Sequence, residues 1–209
     1  MSGVFITATS TEIGKTYTAC AIARALKKIK VNVGVFKPFA TGDLNDAKQL
    51  IKASGVKETP EAVTPEFCAL PMSPYIAAKL EGKKLNINKV LSAYKRMAKK
   101  YEFMIVEGAG GLMVPIEKNF FIDDLIKKLN LPAIVVASRS LGTINHTLLT
   151  VERLKQRKIP VLGIVVNACA KKDISSKYNA ALLKQFTKLP ITELKHNGKI
   201  KDIKWILKA

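Results

Sequence analysis

The sequence predicts a single α/β domain over residues 1–209, built on a mostly parallel sheet with helices on both faces. Three observations predict it. Short, continuous apolar runs alternate with segments of helical period, and strands that are apolar at every position belong to a sheet covered on both sides. A chain of 209 residues suits one compact unit, since such units take roughly 100–200 residues. A composition of 48% hydrophobic and 24% charged residues is that of an ordinary globular chain and argues against disorder.

The elements follow in order. Residues 4–8 (VFITA) read as a buried strand, and residues 15–29 as a helix with Ala19, Ile22, Ala23 and Leu26 on one face. Residues 31–36 form a second strand and 46–53 a short helix. From 53 to 73 the period fades, punctuated by Pro60, Pro65 and Pro71, so a long connection is expected. Residues 103–106 (FMIV) make a third strand that runs into the glycine-rich 108–111. A helix ends at 125–129, before the strand 133–137. Then come a helix at 144–154, a strand at 161–166 and a helix at 178–186. The tail, 199–207 (KIKDIKWIL), places Ile200, Ile203, Trp205 and Ile206 near helical spacing and predicts a docking helix.

Composition also excludes classes. No apolar run approaches the roughly 18–20 residues of a membrane span, and residues 1–6 carry no basic leader before an apolar stretch. Cys20, Cys68 and Cys169 are far apart and unpaired in spacing, so packing roles in a reducing cytoplasm are expected rather than disulfides or zinc. The 35 Lys and Arg against 16 Asp and Glu give a net charge of +19. These cations are spread along the chain near predicted helix ends, with no interleaved aromatics to stack bases. They read as solvated faces, and nucleic acid is not an expected partner.

The chemistry lies at strand ends. The run TSTEIGKT at 9–16 directly follows the first strand and opens the first helix. That is the context of a phosphate-binding P-loop: backbone N–H groups and the helix N-terminus face the phosphates, Lys15 reaches their oxygens, and Thr16 ligates Mg²⁺. The first glycine of the usual pattern is Thr9 here. Lys37 directly follows the second strand, at the carboxyl edge where α/β folds bind ligands. Asp46 opens the next helix, where it could also serve only as a cap. Glu107 ends the third strand, the place of a metal-orienting carboxylate. Thr16, Asp46 and Glu107 together form the hard oxygen shell that Mg²⁺ prefers.

These motifs resemble dethiobiotin synthetase. The resemblance rests on residues 9–16, Lys37-Pro38 with Thr41-Gly42 and Asp46, Ser73-Pro74, EGAGG at 107–111 with Val114-Pro115, LGTINH at 141–146, and Val166-Asn167. It implies ATP-dependent closure of the ureido ring of dethiobiotin from 7,8-diaminononanoate and CO₂, with Mg²⁺, in a cytoplasmic homodimer. By that resemblance Lys37, Lys15 and Thr11 are catalytic, and Glu12, Ile13, Gly14, Lys15, Thr16, Tyr17 and Asn167 bind the nucleotide. Thr41 and Gly110 would hold the substrate. Gly142, Thr143, Ile144, Asn145 and Tyr178 would take its carboxylate across the dimer interface.

The chain departs from the family loop at Ala8 and Ser10, where Gly and Asp are usual, so altered nucleotide affinity is expected. The segment Ala168-Cys169-Ala170 also departs from the family's run, which leaves base preference open. The alternative reading is a partition- or targeting-type P-loop ATPase that binds DNA or membrane. Those loops carry an extra lysine at the position of Ser10, and they give Lys37 and EGAGG no role.

Overall fold

The computed structural model describes residues 2–167, 174–200 and 202–208. Its first half contains β1 (Ser2–Ala8), α1 (Lys15–Lys28), β2 (Val33–Phe36), β3 (Phe39–Thr41), α2 (Asn45–Ser54), α3 (Pro60–Val63), β4 (Glu66–Cys68), α4 (Pro74–Leu80) and α5 (Ile87–Ala98). Its second half contains β5 (Phe103–Glu107), β6 (Pro115–Glu117), β7 (Phe120–Phe121), α6 (Ile122–Leu129), β8 (Ala133–Ser138), α7 (Thr143–Gln156), β9 (Val161–Asn167), α8 (Asn179–Thr187) and β10 (Ile191–Leu194).

Six strands form one parallel sheet in the order β10-β9-β8-β1-β5-β2. β1 is buried at every residue from Gly3 to Ala8 and β5 throughout. Successive side chains point to opposite faces, so unbroken burial means that both faces are covered. Phe5, Ile6, Ile22, Leu26, Ile105, Val135 and Ile164 lie in this core. Parallel pairing puts the carboxyl ends of β1, β5 and β2 side by side, and the crevice above them collects the loops that follow. Among the described residues, no helix is long and apolar enough to cross a membrane.

The structure differs from the sequence reading in four places. The second strand starts at Val33, because Val31 bonds back to Leu26 O in the turn that closes α1, and Asn32 bonds to Glu102 and Phe103 at the approach to β5. The connection after Ala53 is ordered: α3 and β4 lie within it, and β4 pairs with β3 in a separate parallel ladder. Helices α4 and α5, the short antiparallel β6–β7 ladder and the edge strand β10 arise where no element was expected. The tail is not a helix of 199–207; only a single 3₁₀ turn, Ile206–Lys208, is regular there. It docks nonetheless, with Ile200, Trp205 and Ile206 buried. A Cβ added to Gly163 of β9 would lie 2.8 Å from Trp205 Cζ3, so glycine there makes room for the indole. Cys169 and the segment 168–170 lie outside the described residues. Burial pushes the Cys20 thiol up to about 12 and raises that of Cys68, as fits inert packing residues.

Candidate active site

β1 ends at Ala8, and the chain loops for six residues before α1 begins. Within the loop Glu12 and Gly14 are left-handed, at φ 59° and 91°. Gly14 caps α1, and no side chain fits there: a Cβ would lie 1.9 Å from Asn167 Nδ2. Asn167, buried at the end of β9, donates from that nitrogen to Ile13 O at 2.8 Å. The first turn of α1 carries no acidic residue. Its free N–H groups and positive dipole end make an anion site.

Lys15 is buried and folds back over its own loop, donating to Ser10 O at 3.3 Å. Burial and, after it, the charge of Lys37 bring its pKa down from 10.5 to about 8. Lys37 follows β2 and is fixed by its backbone N–H to Val63 O at 3.0 Å. Its ammonium sits 2.7 Å from Asp46 Oδ2, 2.5 Å from Glu107 Oε1 and 3.3 Å from Gly108 O. Burial opposes that charge most strongly, yet Glu107 and Asp46 together outweigh it and hold Lys37 above its ordinary value. Burial likewise opposes the Asp46 carboxylate, but Lys37 and Thr16 hold it below the usual range. Thr16 Oγ1 lies 2.8 Å from both Asp46 Oδ1 and Glu107 Oε1. Asp46 therefore works inside the cleft, while Leu44 takes the cap position of α2.

Thr16, Asp46 and Glu107 thus converge as the sequence predicts. Glu107 is fully buried, and its Oε2 has no hydrogen-bond partner in the protein. A hydroxyl, two carboxylates and an orphaned carboxylate oxygen suit Mg²⁺, which takes few protein ligands and keeps waters and phosphate oxygens. Among the described residues, no group of three or more His, Cys, Asp or Glu gathers for a metal, so a full protein cage is absent.

A cleft of about 450 Å³ opens over these groups. It brings together Thr11, Glu12, Gly14, Lys15, Thr16, Tyr17, Lys37, Thr41, Asp46, Glu107 and Gly110. Gly110 is left-handed at φ 62°, and a Cβ there would lie 3.6 Å from Thr11 Oγ1, so the EGAGG segment abuts the phosphate loop. Ile13 and Asn167 stand behind the loop, outside the cleft lining. Gly142, Thr143, Ile144 and Asn145 form the N-terminus of α7, also outside that lining, as is Tyr178. Thr143 is buried and bonded to Ser138 O at 2.7 Å, whereas Tyr178 is exposed. Sequence reasoning missed Asp43 and Gln49, which line the cleft. The signal available was their position just after Thr41 and on the first turns of α2.

A larger cavity of about 850 Å³ lies between α1 and the C-terminal segment, on the far side of Tyr17. The Tyr17 hydroxyl accepts from Gly198 N and donates to Lys195 O, both at 3.0 Å, and so separates the two cavities. Among the described residues, the larger one has no acidic lining residue and so lacks the paired charges of the cleft.

A parallel sheet with a phosphate loop after its first strand, a buried lysine and two metal-suited carboxylates at neighbouring strand ends define a P-loop nucleotide-binding protein. Solved structures agree on the fold. The MinD cell division protein of Aquifex aeolicus superposes with a TM-score of 0.58 at 15% identity, over 100% of this chain and 87% of that one. A ParA family ATPase from Chlorobium tepidum gives 0.55 at 14% identity, over 93% and 84%. At such identities the likeness carries the fold alone. A family model described as an AAA domain matches residues 2–200.

The chain belongs to the dethiobiotin synthetase family. It is 51% identical to the ATP-dependent dethiobiotin synthetase of Endomicrobium trichonymphae, over 99% of each chain. Identity to the Bacillus licheniformis enzyme of that name is 42%, over 91% of this chain and 84% of the other. For the Methanocaldococcus jannaschii enzyme it is 45%, over 78% of each.

Proposed function

We propose that the cleft performs ATP-dependent ring closure of 7,8-diaminononanoate with CO₂, giving dethiobiotin, ADP and phosphate, as a ligase of biotin biosynthesis. The observation that carries this reading is Lys37, buried beneath the phosphate loop between Asp46 and Glu107. An ammonium held charged while buried from solvent suits a reaction whose intermediates are all anionic.

In the first step one amine adds to CO₂, forming a C–N bond and releasing one proton, to give a carbamate. Lys37 and Thr11 neutralise and orient it. A carbamate oxygen then attacks the γ-phosphorus and ADP leaves. The loop from Glu12 to Tyr17 cradles the triphosphate, and Lys15 stabilises the charge that spreads over the transferring phosphoryl group. The second amine, unprotonated, attacks the carbonyl carbon of the carbamic–phosphoric anhydride; the C–O bond to phosphate breaks, one proton is released with the departing phosphate, and the ring closes. Thr41 and Gly110 hold the diamine end. Thr16, Asp46 and Glu107 would hold Mg²⁺, which supplies charge neutralisation and orientation of the phosphate oxygens. Asn167 stands behind the loop, where its fixed amide supports the nucleotide-binding backbone.

We further propose a cytoplasmic homodimer. Leu141, Leu149, Ile174 and Tyr178 are large and exposed around the N-terminal half of α7, more apolar side chains than a solvent face needs. Gly142 to Asn145 and Tyr178, which line no part of the chain's own cleft, then serve the substrate carboxylate of the partner subunit. The test incubates the protein with MgATP, bicarbonate and the diamine and follows dethiobiotin and ADP by mass spectrometry. Product that requires all three substrates and Lys15 supports the reading. ADP without dethiobiotin would assign the chain another acceptor.

A further inference from the structure

Among the described residues, four carboxylates line the cleft: Glu12, Asp43, Asp46 and Glu107. Two are committed, since Asp46 and Glu107 share Lys37 and Thr16. The diamine is the only reactant that carries positive charge, and it must enter a cleft already holding two lysines. Nothing among the committed groups attracts it, so a further carboxylate is needed if the amine end is to be held rather than repelled.

We infer that Asp43 is that group: it receives the ammonium of the incoming diamine and selects a cationic amine substrate for the cleft. Its place and rigidity both favour it over Glu12. Asp43 stands two residues beyond Thr41, in the β3–α2 turn. Asn45 fixes both of its oxygens, donating from its backbone N–H to Oδ1 at 2.9 Å and from Nδ2 to Oδ2 at 2.7 Å. The turn itself is anchored by Gly42 N–H to Cys68 O at 2.9 Å. Each carboxylate oxygen keeps a second lone-pair direction for a ligand. A carboxylate held in this way loses little side-chain entropy when it takes a cation. Glu12 lies on the phosphate loop itself, where the triphosphate binds. The inference rests on the dethiobiotin-forming reading of the cleft.

The experiment measures steady-state kinetics of the full chain for Asp43→Asn and Asp43→Glu, with each substrate varied in turn. Asparagine keeps an acceptor for the Asn45 backbone N–H, and the Asn45 amide can turn over to accept from the new NH₂ group, so the turn persists while the charge is removed; thermal melts of both variants check the fold. Dethiobiotin formation by the unsubstituted protein tests the underlying reading first and separately. For Asp43→Asn the diamine KM should rise about tenfold, the scale of one charge-assisted hydrogen bond. The MgATP KM and the kcat at saturating diamine should stay within about twofold. Asp43→Glu should recover most of the loss. The diamine KM of the unsubstituted protein should also climb with ionic strength more steeply than that of Asp43→Asn. A diamine KM unchanged in Asp43→Asn would overturn the inference. So would a parallel rise in both KM values, which would make the turn a shaper of the cleft, or a change confined to the Mg²⁺ requirement.

Discussion

At the scale of single residues, Lys15 gives the clearest handle. Its ammonium is disfavoured by burial and by Lys37, which sets its pKa near 8 in the free protein. A bound triphosphate supplies the missing negative charge and raises that value. Binding MgATP therefore takes up a proton above pH 8, and affinity falls by up to about tenfold per unit as pH rises through that range. The free protein moves the other way. Its folded state holds the Lys15 proton less well than the unfolded chain, so stability rises with pH between about 8 and 10.5. Calorimetric titrations at pH 8.5, in buffers of different ionisation enthalpy, will show the uptake, and Lys15→Met will abolish it. Gly14 is a second handle. Gly14→Ala must adopt a left-handed backbone, costing roughly 1–2 kcal/mol, and must push Asn167 off Ile13 O. We expect loss of nucleotide binding beyond detection by fluorescence or calorimetry, with a folded protein still evident by circular dichroism. Lys15, Lys37 and Glu107 were legible in the sequence because each stands at a strand end or on a named loop. The bond from Asn167 to the loop was not, since 154 residues separate its partners.

At the scale of elements, what was legible followed apolar continuity. β1, β5, β8 and β9 are buried on both faces and announce themselves as unbroken apolar runs. β10 sits at the sheet edge with only Leu194 buried, so its sequence (ITEL) carries no such run. Helix α5 has five buried positions on one face, but its cations and polar residues masked the period. The tail misled for the opposite reason: Ile200, Trp205 and Ile206 are spaced as on a helix, but tertiary burial of an irregular chain satisfies them. Helices α6 and α7 illustrate a link that only the structure reveals. Asp123 in the first turn of α6 is fully buried, with Nη2 of Arg153 in α7 at 2.8 Å and Nε of Arg157, the residue that follows α7, at 3.3 Å. Arg157 also pairs with Asp124. Backbone bonds from Ile122 to Val114 and from Asp123 to Leu112 tie the same turn to the loop after EGAGG. Arg153→Met leaves a buried carboxylate with one partner fewer, and should destabilise the fold by about 3 kcal/mol. Urea unfolding will measure it; a change below about 1 kcal/mol would mean that Arg157 alone compensates Asp123.

At the scale of the whole molecule, the residues assigned to one substrate divide between two places. Thr11, Lys37 and Thr41 share the cleft, while Asn145 lies at the exposed start of α7 and lines no part of it. If one site draws on two subunits, this division is the expected signature of a two-fold dimer, in which each α7 N-terminus faces the other subunit's cleft. The arrangement has a consequence that a monomer cannot reproduce. Lys15→Ala destroys the phosphate cleft of its own subunit but leaves Asn145 intact for the partner. Asn145→Ala leaves its own cleft intact but denies the partner the contact with the carboxylate. Each variant alone should be nearly inactive at low diamine concentration. When the two are mixed, dissociated and reassociated at equal amounts, half of the dimers are mixed, and each mixed dimer holds one complete site. Activity should then return to roughly a quarter of the unsubstituted level, as random two-fold assembly requires. Monomeric chains, or dimers whose sites lie within single subunits, would give no recovery, because no chain in the mixture holds both residues.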